Sequence, residues 1–279
     1  MLPTLSRRPR LIAVLHLCSD VADVVGHAVR QALMARDHGA DGCAVIPAGI
    51  RSGATPLVTE AARRIRAAWP ECFLVANYMT TPADAMRAVP MEVDALWTDK
   101  GVGPVGGKLK VSPTSGIAKV AAEMAEVRLA ERSDWKGMWF AGFFHKGDRN
   151  DVLDDDIAPR VEELTQGLHA EGAVTTGAGT GLPADPHDVE RIRKALGPGL
   201  KLAIASGVTG KNVASYCPYV DFFFVGTGIE QKDPSLVKQY TKIYNTSEEV
   251  ASEIAVRQGE LDPARVRAIA EAIAAACNT

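Results

Sequence analysis

The chain has 279 residues, is 47% hydrophobic and 23% charged, and carries a formal net charge of -3 with a mean hydropathy of -0.01. These values exclude a low-complexity chain and the strongly basic surface of a nucleic-acid binder, and no run approaches the roughly 18 apolar residues of a membrane span. Five cysteines without framework spacing predict reduced thiols in a cytoplasmic protein.

Arg7, Arg8 and Arg10 precede an apolar run, as at the start of a signal peptide. That run, 11–17, is short and meets Cys18-Ser19-Asp20, so it reads as a buried first strand. A helix over 21–38 follows, closed by Gly39, and strand two covers 42–46. Leu57, Ala61, Ile65 and Ala68 lie at helical spacing before Pro70. Strand three is 73–78, and Thr81-Pro82 opens a short helix as cap and first residue. Strand four is 95–98. A Gly- and Pro-rich loop over 100–115 is expected to act as a lid. A helix over 117–130 leads to strand five, 137–144.

The next helix follows Asp154-Asp155-Asp156, carries Ile157, Val161, Leu164 and Leu168 on one face, and is predicted to end at Gly172. Strand six is 173–176, and Asp185-Pro186 opens its helix. Strand seven begins at Leu202 and a short helix follows from Gly210. Strand eight begins at Phe222; a helix is expected directly after Gly228, and another over 234–244. Two trailing helices start at Thr246, with Glu249 completing a capping box, and at Asp262-Pro263, with Val266, Ile269 and Ile273 on one face. Eight strand–helix units predict an α/β fold, a (β/α)₈ TIM barrel with two extra C-terminal helices. It reads as a single domain over 1–279, with 246–279 as the helical extension.

In this fold, side chains at the C-terminal strand ends face the pocket. The rule selects His16, Pro47, Asn77, Asp99 with Lys100, His145 with Lys146, Thr176, Ser206 and Thr227. Asp99 and His145 are the expected proton-exchanging pair. Lys146 would stabilise an oxyanion or form an imine, the alternative being an ion pair with Asp148 or Asp99. His16, Asn77, Thr176 and Ser206 are expected to bind substrate. The runs Ser206-Gly207-Val208 and Gly226-Thr227-Gly228 resemble the phosphate cradle after strands seven and eight. Gly207, Val208, Gly226, Thr227 and Gly228 would hold the anion mainly through backbone N–H groups. The acidic run 151–156 reads as a helix cap, the His and carboxylate spacing matches no zinc pattern, and 177–181 lacks a GxGxxG fingerprint. No metal and no cofactor are therefore expected. Cys18 reads as a buried thiol.

Several of these stretches resemble the BtpA-like (SgcQ-like) family of TIM-barrel proteins. They are residues 11–17, the Gly39-Ala40-Asp41-Gly42 turn, Thr175 through Gly181, Ser206 through Thr209 with Asn212-Val213, and Asp221 through Thr227. The resemblance spans about residues 10–245 and is densest after strands six, seven and eight. It implies a phosphate-binding barrel. Because one member of that family is associated with photosystem I biogenesis, it also admits a non-enzymatic assembly role. The chain departs from the family at Pro47-Ala48-Gly49, where an acidic-Asn turn is usual, at Leu96-Trp97-Thr98-Asp99, where an Arg-containing run is common, and at His145-Lys146, where Lys precedes His. These differences fall where substrate should bind.

The expected function is acid–base chemistry on a phosphorylated sugar or nucleotide-like metabolite, as a lyase, isomerase or glycosidic-cleaving enzyme. The expected partners are that metabolite and further copies of the chain in a homo-oligomer, with neither nucleic acid nor membrane. The alternative is an assembly factor on a catalytically silent barrel, which would show an apolar patch on the trailing helices.

Overall fold

A computed structural model describes residues 8–50, 53–99, 117–144, 154–177 and 179–277. Eight parallel strands close into a barrel in sequential order. They are β1 (Arg10–Cys18), β2 (Gly42–Ala48), β3 (Phe73–Ala76), β4 (Ala95–Thr98), β5 (Met138–Gly142), β6 (Gly172–Thr175), β7 (Lys201–Ala205) and β8 (Phe222–Val225). The barrel closes where Arg10 to Ala13 of β1 pair in register with Phe222 to Val225 of β8. The intervening helices are α1 (Val24–Asp37), α2 (Ala54–Ala68), α3 (Pro82–Ala88), α4 (Ile117–Glu126), α5 (Asp154–Glu162), α6 (Pro186–Leu196) and α7 (Val213–Tyr216).

Strand alternation sorts the side chains into two cores. Ile12, Val75, Phe140 and Ala203 of the odd strands, with Ile46, Trp97, Val174 and Phe224 of the even ones, fill the barrel interior. Their neighbours pack outward against the helices, where Ala61, Ile65, Val189 and Ile192 are buried. The ring of Phe140 lies so close to β6 that a Cβ at Gly172 would stand 2.5 Å from it. That corrects the expectation of Gly172 as a helix C-cap. The helical turns end at Gly167, in a wide last turn where the Leu168 N–H reaches the Glu163 carbonyl at 2.8 Å.

The N-terminal end of the barrel carries one device four times. An acid stands immediately before each even strand: Asp41, Asp94, Glu171 and Asp221. Its carboxylate accepts the N–H of the preceding odd strand's second residue, from Leu11, Leu74, Trp139 and Leu202, at 2.8, 2.8, 2.8 and 2.9 Å. Each also holds an arginine: Arg8, Arg66, Arg128 and Arg193, at 2.5, 2.5, 2.6 and 3.0 Å. The acid's own carbonyl accepts the first N–H of the next odd strand, from Phe73, Met138, Lys201 and, closing the circle, Arg10. Such charge-assisted bonds satisfy strand groups that the staggered barrel rim would leave unpaired.

The largest departure from expectation follows β8. No helix begins after Gly228; the chain turns and forms β9 (Glu230–Lys232). The helix α8 (Val237–Tyr244) comes next, then α9 (Glu248–Ile254), whose cap is Ser247 and not Thr246, with the Ser247 Oγ accepting the Val250 N–H at 3.3 Å. A further strand, β10 (Val256–Leu261), pairs antiparallel with β9. The last described element is α10 (Pro263–Cys277), on which Val266, Ile269 and Ile273 are buried as expected.

Candidate active site

A cavity of about 500 Å³ opens at the C-terminal ends of the strands. Its apolar floor is the top of the barrel interior, with Val14, Ile46, Trp97, Val174, Ala205 and Phe224. His16, Asp99, Thr176, Ser206, Thr227 and Gln258 supply polar groups around it. Parity explains the inward set. His16 lies two and four residues beyond the inward Val14 and Ile12, Asp99 two beyond Trp97, and Thr176 two beyond Val174.

His16 is held by a buried carboxylate. Its Nδ1 lies 2.7 Å from Oε1 of Glu230. Glu230 is fully buried, and the same Oε1 accepts the Gly259 N–H at 2.7 Å. A carboxylate at Nδ1 makes that nitrogen the proton donor, so Nε2 is the nitrogen left for the cavity. Gly226 leaves room for the ring, since a Cβ there would stand 3.0 Å from His16 Cε1. Beside it, the Cys18 thiol donates to the Gln258 carbonyl at 3.3 Å. Burial first, then Asp20, Glu230 and Glu260, push this thiol up to about 11, so it stays protonated at neutral pH.

Asn77 does not line the cavity. It is 1% exposed; its amide donates to Asp99 Oδ1 at 3.2 Å, and its oxygen accepts the Met79 N–H at 2.9 Å. It thereby ties the end of β3 to the carboxylate at the end of β4, and the local turn holds Met79 at φ 52°. Met79 itself reaches the cavity.

The turns after β6, β7 and β8 interlock. Ser206 sits at φ 105°, donates its hydroxyl to the Gly179 carbonyl and accepts the Gly181 N–H, both at 2.9 Å. Gly207, at φ +66°, is pressed against the backbone of Leu182, where a Cβ would lie 2.2 Å from the carbonyl. A Cβ on Gly228 would lie 1.9 Å from the Val208 carbonyl oxygen. Packing between turns therefore accounts for these two glycines, and Ser206 spends its hydroxyl on the loop. The N–H groups of Gly207, Val208, Thr227 and Gly228 meet no protein acceptor among the described residues. The helix expected directly after Gly228 is replaced by β9, so these N–H groups are not the start of that helix.

His145, Lys146 and the expected lid over 100–115 lie outside the described residues. The end of β5 before them is held by Arg160, which is fully buried, stacks 4.0 Å over the Phe144 ring and donates to the Phe143 carbonyl. Among the described residues, no group of three or more His, Cys, Asp or Glu is arranged to hold a metal, and no helix is long and apolar enough to cross a membrane. The large apolar side chains exposed among them, Met79, Met91, Leu129 and Ile243, sit on four separate segments.

Glu230 and Gln258 were not among the residues selected from sequence. Both belong to the β9–β10 ribbon. In β10 the buried Val256 and Gly259 are separated by two exposed residues, Arg257 and Gln258, so no period-two pattern announces the strand.

Together the closed sheet, the helices around it and the cavity at the strand C-terminal ends define a (β/α)₈ barrel. No family model matches the chain, and no curated sequence does. Among solved structures, the chain superposes on one described as native KDPGal with a TM-score of 0.54 and 11% identity, covering 99% of this chain and 100% of the other. It superposes on phosphoribosyl anthranilate isomerase from Thermus thermophilus with a TM-score of 0.54 and 14% identity, over 95% and 98% of the two chains. It is similar as well to 3-keto-L-gulonate-6-phosphate decarboxylase from Vibrio cholerae, at a TM-score of 0.52 and 16% identity, over 96% and 99%. Likeness at these identities shows a shared fold. Two of these neighbours are named, respectively, for a phosphoribosyl compound and a sugar phosphate.

Proposed function

We propose that this chain is an enzyme that carries out acid–base chemistry on a small phosphorylated metabolite, in the manner of a lyase or isomerase. The observation that carries the reading is the meeting of His16 and Asp99 on one apolar-floored cavity at the barrel's C-terminal mouth. His16, with Nε2 turned to the cavity, exchanges the proton on one side. Asp99, held by Asn77, acts as the second proton-transfer group. A low-dielectric floor strengthens both against water. The N–H groups of Gly207, Val208, Thr227 and Gly228 are the proposed phosphate donors, with Gly226 as the open face of the turn. Thr176 lines the same cavity and orients substrate hydroxyls. His145 and Lys146 come three and four residues after the end of β5 in sequence and enter as candidates for the group that stabilises an oxyanion or forms an imine.

The BtpA-like resemblance and the names of the structural neighbours support a phosphorylated ligand. Pro47, Ala48 and Gly49 line the cavity where that family usually carries an acidic-Asn turn, so the chain reads as a divergent member and no specific family substrate is carried over to it.

The test is native mass spectrometry of gently purified protein for a retained phosphorylated compound, followed by incubation with that compound and NMR detection of turnover. His16→Gln and Asp99→Asn should each lower turnover by about 10²-fold or more with the folded state retained, as circular dichroism would show. Turnover that survives both substitutions removes the assignment. Borohydride trapping with the turned-over carbonyl compound tests Lys146 separately.

A further inference from the structure

We propose that Glu230 is the positioning residue for His16, and that the β9–β10 ribbon is a working part of the site. The inference rests on the role given to His16 above. A carboxylate is among the most costly groups to bury, and it persists where its charge is used. Glu230 is fully buried on a ribbon that the barrel does not need for closure. One of its oxygens is spent on His16 Nδ1 and the Gly259 N–H, both at 2.7 Å. The other, Oε2, is buried with no partner among the described residues. A simple anchor for the ribbon would be served as well by a neutral amide. A carboxylate at Nδ1 does more: it selects the tautomer that leaves Nε2 free to take a proton, and it balances the imidazolium that then forms.

The ribbon is shaped to bring this carboxylate to β1. Gly259 has φ +86°, and a Cβ on it would stand 2.9 Å from the His16 carbonyl oxygen and 3.1 Å from Cys18 Sγ. Only a residue without a side chain lets β10 come this near. Arg265 of α10 donates to the Glu230 carbonyl at 2.5 Å, and Asp262 donates its N–H to the Ile229 carbonyl at 2.7 Å. Two bonds from the start of the last helix thus fix the turn that carries Glu230. Gln258 of the same ribbon lines the cavity, so the ribbon borders the site as well as holding the histidine.

The test uses the full chain with ¹⁵N-labelled histidine. Long-range ¹⁵N–¹H spectra near neutral pH read the tautomer of His16, assigned by its loss in His16→Gln. The expected result is a dominant Nδ1–H form in the native protein. Glu230→Gln keeps an oxygen that can accept both the Gly259 N–H and the His16 Nδ1–H, so it should hold the tautomer while removing the counter-charge; Glu230→Ala removes the acceptor and should shift His16 toward the mixture of free imidazole. Both variants should slow carbethoxylation of His16 by diethyl pyrocarbonate, with His38 as the internal control. A dominant Nε2–H form in the native protein overturns the proposal without any variant. Unchanged tautomer and reactivity in Glu230→Ala, or unchanged reactivity in Glu230→Gln, overturn it too. None of these readouts involves a substrate, so they stand or fall apart from the loss of turnover that tests the function itself.

Discussion

Gly226 and Gly207 both sit in turns first read as a phosphate cradle, and the structure separates them. At Gly207 the positive φ and the Leu182 backbone leave no room for a side chain. Gly207→Ala is expected to destabilise the protein by about 1–3 kcal/mol, seen as a lower midpoint in urea with no ligand present. At Gly226 the nearest obstacle is the edge of His16, a side chain that can yield by tenths of an ångström. Gly226→Ala should leave the urea midpoint nearly unchanged and impair His16-dependent turnover. Equal destabilisation by both substitutions would refute the distinction. The inward residues His16, Asp99 and Thr176 were legible in the sequence because strand parity and the barrel rule act locally. The engagement of Ser206 by the loop before it was not, because it depends on a φ of 105° that no residue type announces.

At the scale of elements, the four acids before the even strands make a ring whose members differ in burial. Asp221 holds Arg193, and their side chains are 12% and 2% exposed. Burial lowers the Arg193 pKa, and Asp221 opposes that shift. Asp221→Asn leaves this guanidinium buried without its counter-charge and should cost about 3–5 kcal/mol. Asp41 holds Arg8, whose side chain is 42% exposed, so Asp41→Asn should cost about 1 kcal/mol or less. Chemical denaturation of the two variants checks the ranking, and similar losses would contradict it. All eight strands and the caps at Thr81 and Asp185 could be read in advance, since each is signalled within a few residues. The β9–β10 ribbon could not. Each strand is short, its partner lies more than twenty residues away, and the glycines before it suggested a helix start.

For the molecule as a whole, several buried acidic groups set the response to alkali. Cys18 is raised to about 11, and Cys217, Tyr78 and Tyr216 to about 12, each chiefly by burial. The folded state therefore keeps protons that the unfolded chain releases near pH 9 to 10. The stabilisation is full below that range and is lost as pH rises through it toward 12. Melting temperature should fall across this window, and Cys18→Ser should flatten the part between about 9 and 11. An unchanged slope in that variant would show that Cys18 does not contribute. Phosphorylated ligand at 100 times its dissociation constant should add about 2.7 kcal/mol of stability, measurable as a rise in melting temperature that the dephosphorylated analogue does not match.

The bond between His16 and Glu230 joins residues 214 positions apart. All eight barrel strands, through Val225 of β8, precede Glu230 in the chain. The carboxylate that meets the histidine of the first strand is thus carried by the segment that follows barrel closure. A chain cut just before residue 230 would keep every strand of the closed sheet and lose the partner of His16.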